Sequence, residues 1–248
     1  MLVKSEEGFC FLSKFANFGQ LVHGFSTKDF GDLKKEENFF TNIKKFATAV
    51  KIDPENIVRF EQIHQDRLTV VSKKHQGGIL KGFDGGVTAE KNLFLAVTTA
   101  DCIPLLVFDS VNNIVGIIHL GWRGIVANFG LKLIAKLQSV YTSQPEDIIC
   151  GIGPSIGPCC YEVRDDVASL FAKIFQRDQQ IIQTRDKKIF LDLRSAVFRQ
   201  LINLGIPAKN IDSPAVCVSC QNDIFYSTRA EKQNLPGENL AVIGMKTR

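Results

Sequence analysis

With 248 residues, the chain is long enough to bury one sizeable core without disulfides or an oligomeric partner. Hydrophobic residues make up 45% and charged residues 23%, ordinary values for a globular protein, and no repeat at a fixed period argues for a solenoid or propeller. The formal net charge is +4, and lysine pairs such as Lys44-Lys45, Lys73-Lys74 and Lys187-Lys188 are scattered. That distribution excludes the basic stripe of a nucleic-acid binder and is compatible with a small anionic substrate such as phosphate.

In chain order, the N-terminal stretch carries Glu6 and Glu7 where a signal peptide needs unbroken apolar residues. The longest apolar runs, such as 103–108, have the length of strands and fall far short of a membrane span. A cytoplasmic location without membrane association is therefore expected. A helix is expected over 36–50, stopping before Asp53-Pro54, with strands over 57–61 and 68–72. Gly77-Gly78 and the stretch from Gly82 to Gly86 read as turns. Three strands follow in close order, 93–99, 104–109 and 114–119, with Asn112-Asn113 as a hairpin turn between the last two. Beyond Gly121-Trp122-Arg123-Gly124 comes a helix over 126–139, then helices over 165–175 and 193–204, the latter closed by Gly205 and Pro207. A strand over 240–245 ends the chain. Hairpin-spaced strands beside helices predict a mixed α/β (α+β) fold, one domain over residues 1–248 with a mixed, largely antiparallel sheet flanked by helices.

Seven cysteines (10, 102, 150, 159, 160, 217 and 220) are an odd number for a disulfide framework. In a reducing compartment they read as buried thiols, metal ligands or a nucleophile. Of four histidines, His64 sits at the turn between two expected strands and His119 ends an apolar one. Cys102 lies where two strands meet, in Thr98-Thr99-Ala100-Asp101-Cys102. Two imidazoles and a thiolate suit Zn²⁺ and leave a fourth position open. By spacing alone the three are too far apart to prove that they meet, and a satisfied core histidine and a buried structural cysteine are then the simpler reading. His23 and His75 read as structural and surface residues. Cys217-x-x-Cys220 together with Cys159-Cys160 raises a second, structural zinc, although buried thiols are the simpler reading.

Three segments resemble the hallmark motifs of one family: Thr99-Ala100-Asp101-Cys102-Ile103-Pro104, His119-Leu120-Gly121-Trp122-Arg123-Gly124, and the stretch from Gly153 to Val163. Gln62-Ile63-His64, His23-Gly24-Phe25-Ser26-Thr27, Cys217 and Phe225-Tyr226-Ser227-Thr228-Arg229 extend the likeness in order along nearly the whole chain. The chain is identified on these motifs as a member of the laccase-domain family, once called polyphenol oxidases. The resemblance implies a purine nucleoside phosphorylase with adenosine deaminase activity, whose partners are purine nucleosides and phosphate. It also implies zinc held by His64, Cys102 and His119. The chain departs from the family's usual residues at Lys28, Leu120, Ala230 and Gly237-Glu238, away from the metal set.

Deamination at a zinc site calls for a proton-shuttling carboxylate. Asp101 is a candidate for it, or else caps a turn. Arg123 and Arg229 are candidate anion partners or structural ion-pairing groups. A multicopper oxidase would consume more imidazoles than four. Other readings remain: a metal-free cysteine hydrolase of peptidoglycan-precursor editing, with Cys102 as nucleophile, a non-catalytic metal-binding protein, and a redox protein using Cys217 and Cys220. A monomer is expected, with self-association left open.

Overall fold

A strand that is apolar along its whole length needs cover on both faces, and the runs over 103–108 and 114–118 are of that kind. The computed structural model, which describes residues 1–34, 36–231 and 237–247, supplies the cover with two stacked sheets. The first has seven strands in the order Leu2–Lys4, Cys10–Leu12, Leu21–Phe25, Asn239–Met245, Phe94–Thr99, Ile57–Phe60, Ile79–Leu80. The second has six, in the order Ile211–Asp212, Ile148–Ile152, Ile103–Asp109, Ile114–Leu120, Gly85–Thr88, Leu68–Val70. A small three-stranded sheet joins Glu162–Val163, Lys188–Leu191 and Ile182–Arg185. The fold is mixed α/β as expected, and most strand pairs are antiparallel; Ile57–Phe60 runs parallel to both of its neighbours.

The period-two alternation of side chains sorts the core into layers. Phe108, Leu106, Val115 and Ile117 face the first sheet and pack on Phe60, Leu95, Val97 and Ile243. Their neighbours Leu105, Val107 and Ile118 face the other way, onto Leu133 and Leu137 of the helix Phe129–Tyr141 and onto Phe171 and Val197 of the helices Asp165–Phe175 and Leu193–Asn203. The outer face of the first sheet (Phe94, Ala96, Leu240, Val242) is covered by the helix Glu36–Ala49, whose Phe39, Ile43, Phe46 and Ala47 recur at helical spacing on one stripe. The result is helix on sheet on sheet on helices.

Local chemistry explains where expected boundaries moved. Asn113 takes the left-handed conformation in the 109–114 hairpin (φ 56°), and the Asp109 carboxylate accepts from the N–H groups of Val111 and Asn112. The helix expected over 126–139 is two helices, Trp122–Val126 and Phe129–Tyr141, because Asn128 between them is left-handed (φ 54°). Gly85 and Gly86, expected in a turn, lie within a strand. A Cβ on Gly85 would stand 2.2 Å from the Ile117 carbonyl oxygen, so the residue is there for close strand approach. The N-terminal strands are too short to show a pattern in sequence. No helix among the described residues is long and apolar enough to cross a membrane.

Candidate metal centre

Three connections step from one sheet to the other: Ile57–Phe60 to Leu68–Val70, Ile79–Leu80 to Gly85–Thr88, and Phe94–Thr99 to Ile103–Asp109. They carry His64, Asp84 and Cys102, and all three meet His119 at the end of Ile114–Leu120. One ligand atom from each of His64, Cys102 and His119 lies within 4.8 Å of the others. The imidazole rings of His64 and His119 are 4.6 Å apart between centroids and nearly perpendicular, at 81°. His119 is buried, Cys102 half-buried and His64 exposed, so the group closes on the protein side and opens on the solvent side. A cleft of about 400 Å³ lies over it, lined among others by Glu61, Gln62, Thr98, Ala100, Thr228 and Glu238.

The connection bearing His64 is held in an unfavourable backbone shape. Gln62 (φ 50°) and His64 (φ 55°) are both left-handed, each costing on the order of 1 kcal/mol or more. Two sets of hydrogen bonds offset this. The Gln62 amide donates to the Thr98 carbonyl oxygen and accepts from the Thr98 N–H, both at 2.7 Å, tying this connection to the one that carries Cys102. The Asp84 carboxylate accepts from the N–H groups of His64 (2.8 Å) and Gln65 (2.9 Å). The same carboxylate stands 3.4 Å from Nδ1 of His119, which turns the other ring nitrogen toward Cys102. Asp84 is completely buried. Burial alone would raise its pKa, but the bonds from His119, Gln65 and His64 hold it below the ordinary value. Sequence reasoning missed this residue; its signal was a lone carboxylate within the glycine-rich run from Gly82 to Gly86.

Burial also opposes the Cys102 thiolate, yet the charge and hydrogen bonds of His119 and His64 overcome it and bring the pKa down to about 7. His119 moves the other way: burial lowers it, while Cys102 and Asp84 together raise it to about 10. Thiolate and imidazolium thus stabilise one another, and a cation bound in their midst would replace the proton. A Cβ on Gly121 would come within 3.0 Å of Cys102 Sγ, so glycine there leaves the sulfur room.

The remaining predicted residues cluster around Tyr161 beside the centre and are not among the residues that line the cleft. Asp101, itself left-handed at φ 92°, accepts from Ser227 Oγ at 2.6 Å and from the Arg229 N–H at 2.8 Å. Arg229 donates through Nη1 to the carbonyl oxygens of Cys160 and Glu162, and its guanidinium lies 5.3 Å from the centre of the Tyr161 ring. Burial pushes the Tyr161 hydroxyl up to about 12; Cys102 and Asp101 add to the shift, and Arg229 and Arg123 oppose it. Arg123 is exposed, with its guanidinium 4.4 Å from the Trp122 ring. Lys28 is engaged by Glu231 (2.7 Å) and the Asn222 carbonyl oxygen (2.6 Å). The other two histidines are elsewhere: buried His23 Nε2 accepts from the Leu12 N–H, and His75 Nδ1 accepts from the Ser72 N–H.

The family described as multi-copper polyphenol oxidoreductase laccase matches residues 16–246. The chain belongs to this family. Among its laccase-family relatives, the protein named purine nucleoside phosphorylase YlmD of Bacillus subtilis (strain 168) is 30% identical over 93% of this chain and 90% of its own length. A protein named adenosine deaminase RL5, from an unknown prokaryotic organism, is 31% identical over 74% of this chain and 73% of its own. The crystal structure of the Bacillus licheniformis hypothetical protein YfiH superposes with a TM-score of 0.90 at 28% identity, covering 99% of both chains. With His23 and His75 committed elsewhere, this laccase-family centre brings two imidazoles and one thiolate together, a donor set suited to one ion rather than several coppers.

Proposed function

We propose that this protein is a zinc-dependent purine nucleoside phosphorylase with adenosine deaminase activity, holding zinc on His64, Cys102 and His119. The observation that carries the reading is the convergence of those three side chains, within 4.8 Å, at the floor of a cleft. Two imidazoles and a thiolate are a donor set that would fit zinc and would leave it room for one further ligand. When held by His64, Cys102 and His119, zinc would supply Lewis-acid chemistry to the cleft. The cleft's volume of about 400 Å³ falls in the range of small-molecule sites, and the names of the relatives point to purine nucleosides and phosphate as its occupants.

The chain's own residues then divide the work. Asp84 fixes the ring of His119 and the backbone that presents His64. Each oxygen of Asp101 accepts one hydrogen bond, from Ser227 or Arg229, so it holds the segment that carries Arg229 against Tyr161 and keeps lone pairs free for the proton-shuttling role of deamination. Arg123, which has no ion-pair partner among the described residues, and Arg229 supply positive charge for phosphate. Incubating the purified protein with adenosine, with and without phosphate, tests the reading. Adenine with ribose 1-phosphate marks phosphorolysis and inosine marks deamination; no turnover of adenosine, inosine or guanosine in the zinc-loaded protein overturns it.

A second reading rests on one observation. Cys102, His119 and Asp84 also form a nucleophile, base and orienting carboxylate in sequence, the arrangement of a metal-free cysteine hydrolase. Metal analysis separates the two, because a zinc-free active protein inactivated by iodoacetamide belongs to the second.

A further inference from the structure

Next to Tyr161, which follows Cys160 in the chain, lie four cysteines that the proposed chemistry does not use. Cys159 and Cys160 follow the strand Ile148–Ile152 in the turn after Gly157-Pro158, and Cys217 and Cys220 lie in the segment before Phe225. A bridge between Ser155 and Cys217 brings these distant segments side by side. The Cys220 sulfur is 3.4 Å from those of both Cys159 and Cys160, and all four sulfurs lie within 4.8 Å of one another.

We propose that Cys159, Cys160, Cys217 and Cys220 form a second metal site, closed and structural, that takes a single zinc ion. Zinc–sulfur bonds of about 2.3 Å in a tetrahedron set the sulfurs about 3.8 Å apart, which is compatible with two contacts of 3.4 Å and all pairs within 4.8 Å. An iron–sulfur cluster binds its cysteines through different irons and would spread them further. Four thiolates around Zn²⁺ leave a net negative charge, and the surroundings answer it. The Gly157 N–H donates to Cys217 Sγ at 3.1 Å, a bond that orients a sulfur ligand from outside the metal's own shell. Three guanidinium groups hold the backbone of the two cysteine segments: Arg185 on the Pro158 carbonyl, Arg194 on those of Pro214 (2.9 Å) and Val216 (3.2 Å), and Arg229 on that of Cys160 (3.3 Å). Cys159 and Cys220 are exposed, so an ion reaches the sulfurs from solvent. The site pins the 155–163 segment, with Tyr161, to the segment that leads into Ser227 and Arg229. It stands independently of the chemistry assigned to the cleft.

The test uses whole protein purified with a thiol reductant and without chelator. Metal content is measured for the parent, for Cys102→Ala, and for the double variant Cys217→Ser with Cys220→Ser. The expected result is a zinc equivalent that Cys102→Ala retains and the double variant loses. Should the double variant fail to fold, cobalt loaded into Cys102→Ala replaces it as the readout. Intense sulfur-to-cobalt charge-transfer bands, weakened by adding Cys159→Ser, support the site. Cys102→Ala protein that holds no metal, or four thiols that alkylate at the rate of free cysteine with zinc present, overturns the proposal. So does a disulfide among the four that survives the reductant.

Discussion

A single sulfur carries most of the weight at the residue scale. Cys102→Ala removes one of three convergent donors, and the variant is expected to lose adenosine turnover and the zinc of this centre while its circular dichroism stays that of the parent. His75→Ala, far from the site, serves as a silent control. Asp84→Asn keeps the shape of the side chain but removes the charge that faces His119 Nδ1. Loss of such a partner weakens metal binding by about 10–100-fold, which competition with a fluorescent chelator would register. The acid–base pairing adds a pH signature. In metal-stripped protein, burial disfavours the Cys102 thiolate, but the two imidazoles bring its pKa below the ordinary 9.0, to about 7. The thiolate therefore forms as pH rises through about 7, and iodoacetamide alkylation at Cys102 is expected to be half-maximal there. A midpoint near that of an ordinary thiol would refute the pairing. His64, Cys102 and His119 were legible only through motif resemblance, since no local spacing links them. Asp84 was not, because a carboxylate among glycines looks like any turn until the fold shows which N–H groups it accepts from. Cys159-Cys160 and Cys217-x-x-Cys220 were each visible, but nothing in the sequence announces the Ser155–Cys217 bridge that joins them.

At the scale of elements, what could be read depended on burial. Ile103–Asp109 and Ile114–Leu120 are buried along their full length, so their apolar runs announce strands covered on both sides. Leu2–Lys4 and Cys10–Leu12 have three residues each, too few for any period to show. The strand Gly85–Thr88 was hidden for the opposite reason, since its glycines are demanded by a neighbour that sequence alone does not place. Gly85→Ala would force a methyl against the Ile117 carbonyl oxygen at 2.2 Å and against Ile118. Overpacking of this kind costs about 1–3 kcal/mol, and thermal unfolding should come roughly 4–8 °C earlier for a cost of about 2 kcal/mol. An unchanged melting temperature would mean that the strand yields without strain.

For the whole molecule, a metal that binds the native chain and not the unfolded one stabilises it by mass action. At free zinc about 100 times its dissociation constant, one site contributes about 2.7 kcal/mol. Chelator-stripped protein is therefore expected to melt roughly 5–10 °C lower for each centre emptied, and re-adding zinc should restore the difference. A melting temperature indifferent to zinc would speak against occupancy of either centre. The mixed α/β class and its largely antiparallel pairing followed from hairpin-spaced strands beside helices. How those strands divide between two stacked layers did not, because strand adjacency across a sandwich leaves no mark on local composition.

Those two layers have a consequence for how the chemistry can drift. His64, Asp84 and Cys102 ride on crossings between the layers, while His119 belongs to one layer alone. If one layer slid against the other, the distances among all four would change together. A bulkier or smaller side chain at Leu95, Leu106 or Ile243, deep in the sandwich and remote from any substrate, would therefore act as a tuning screw on the donor geometry.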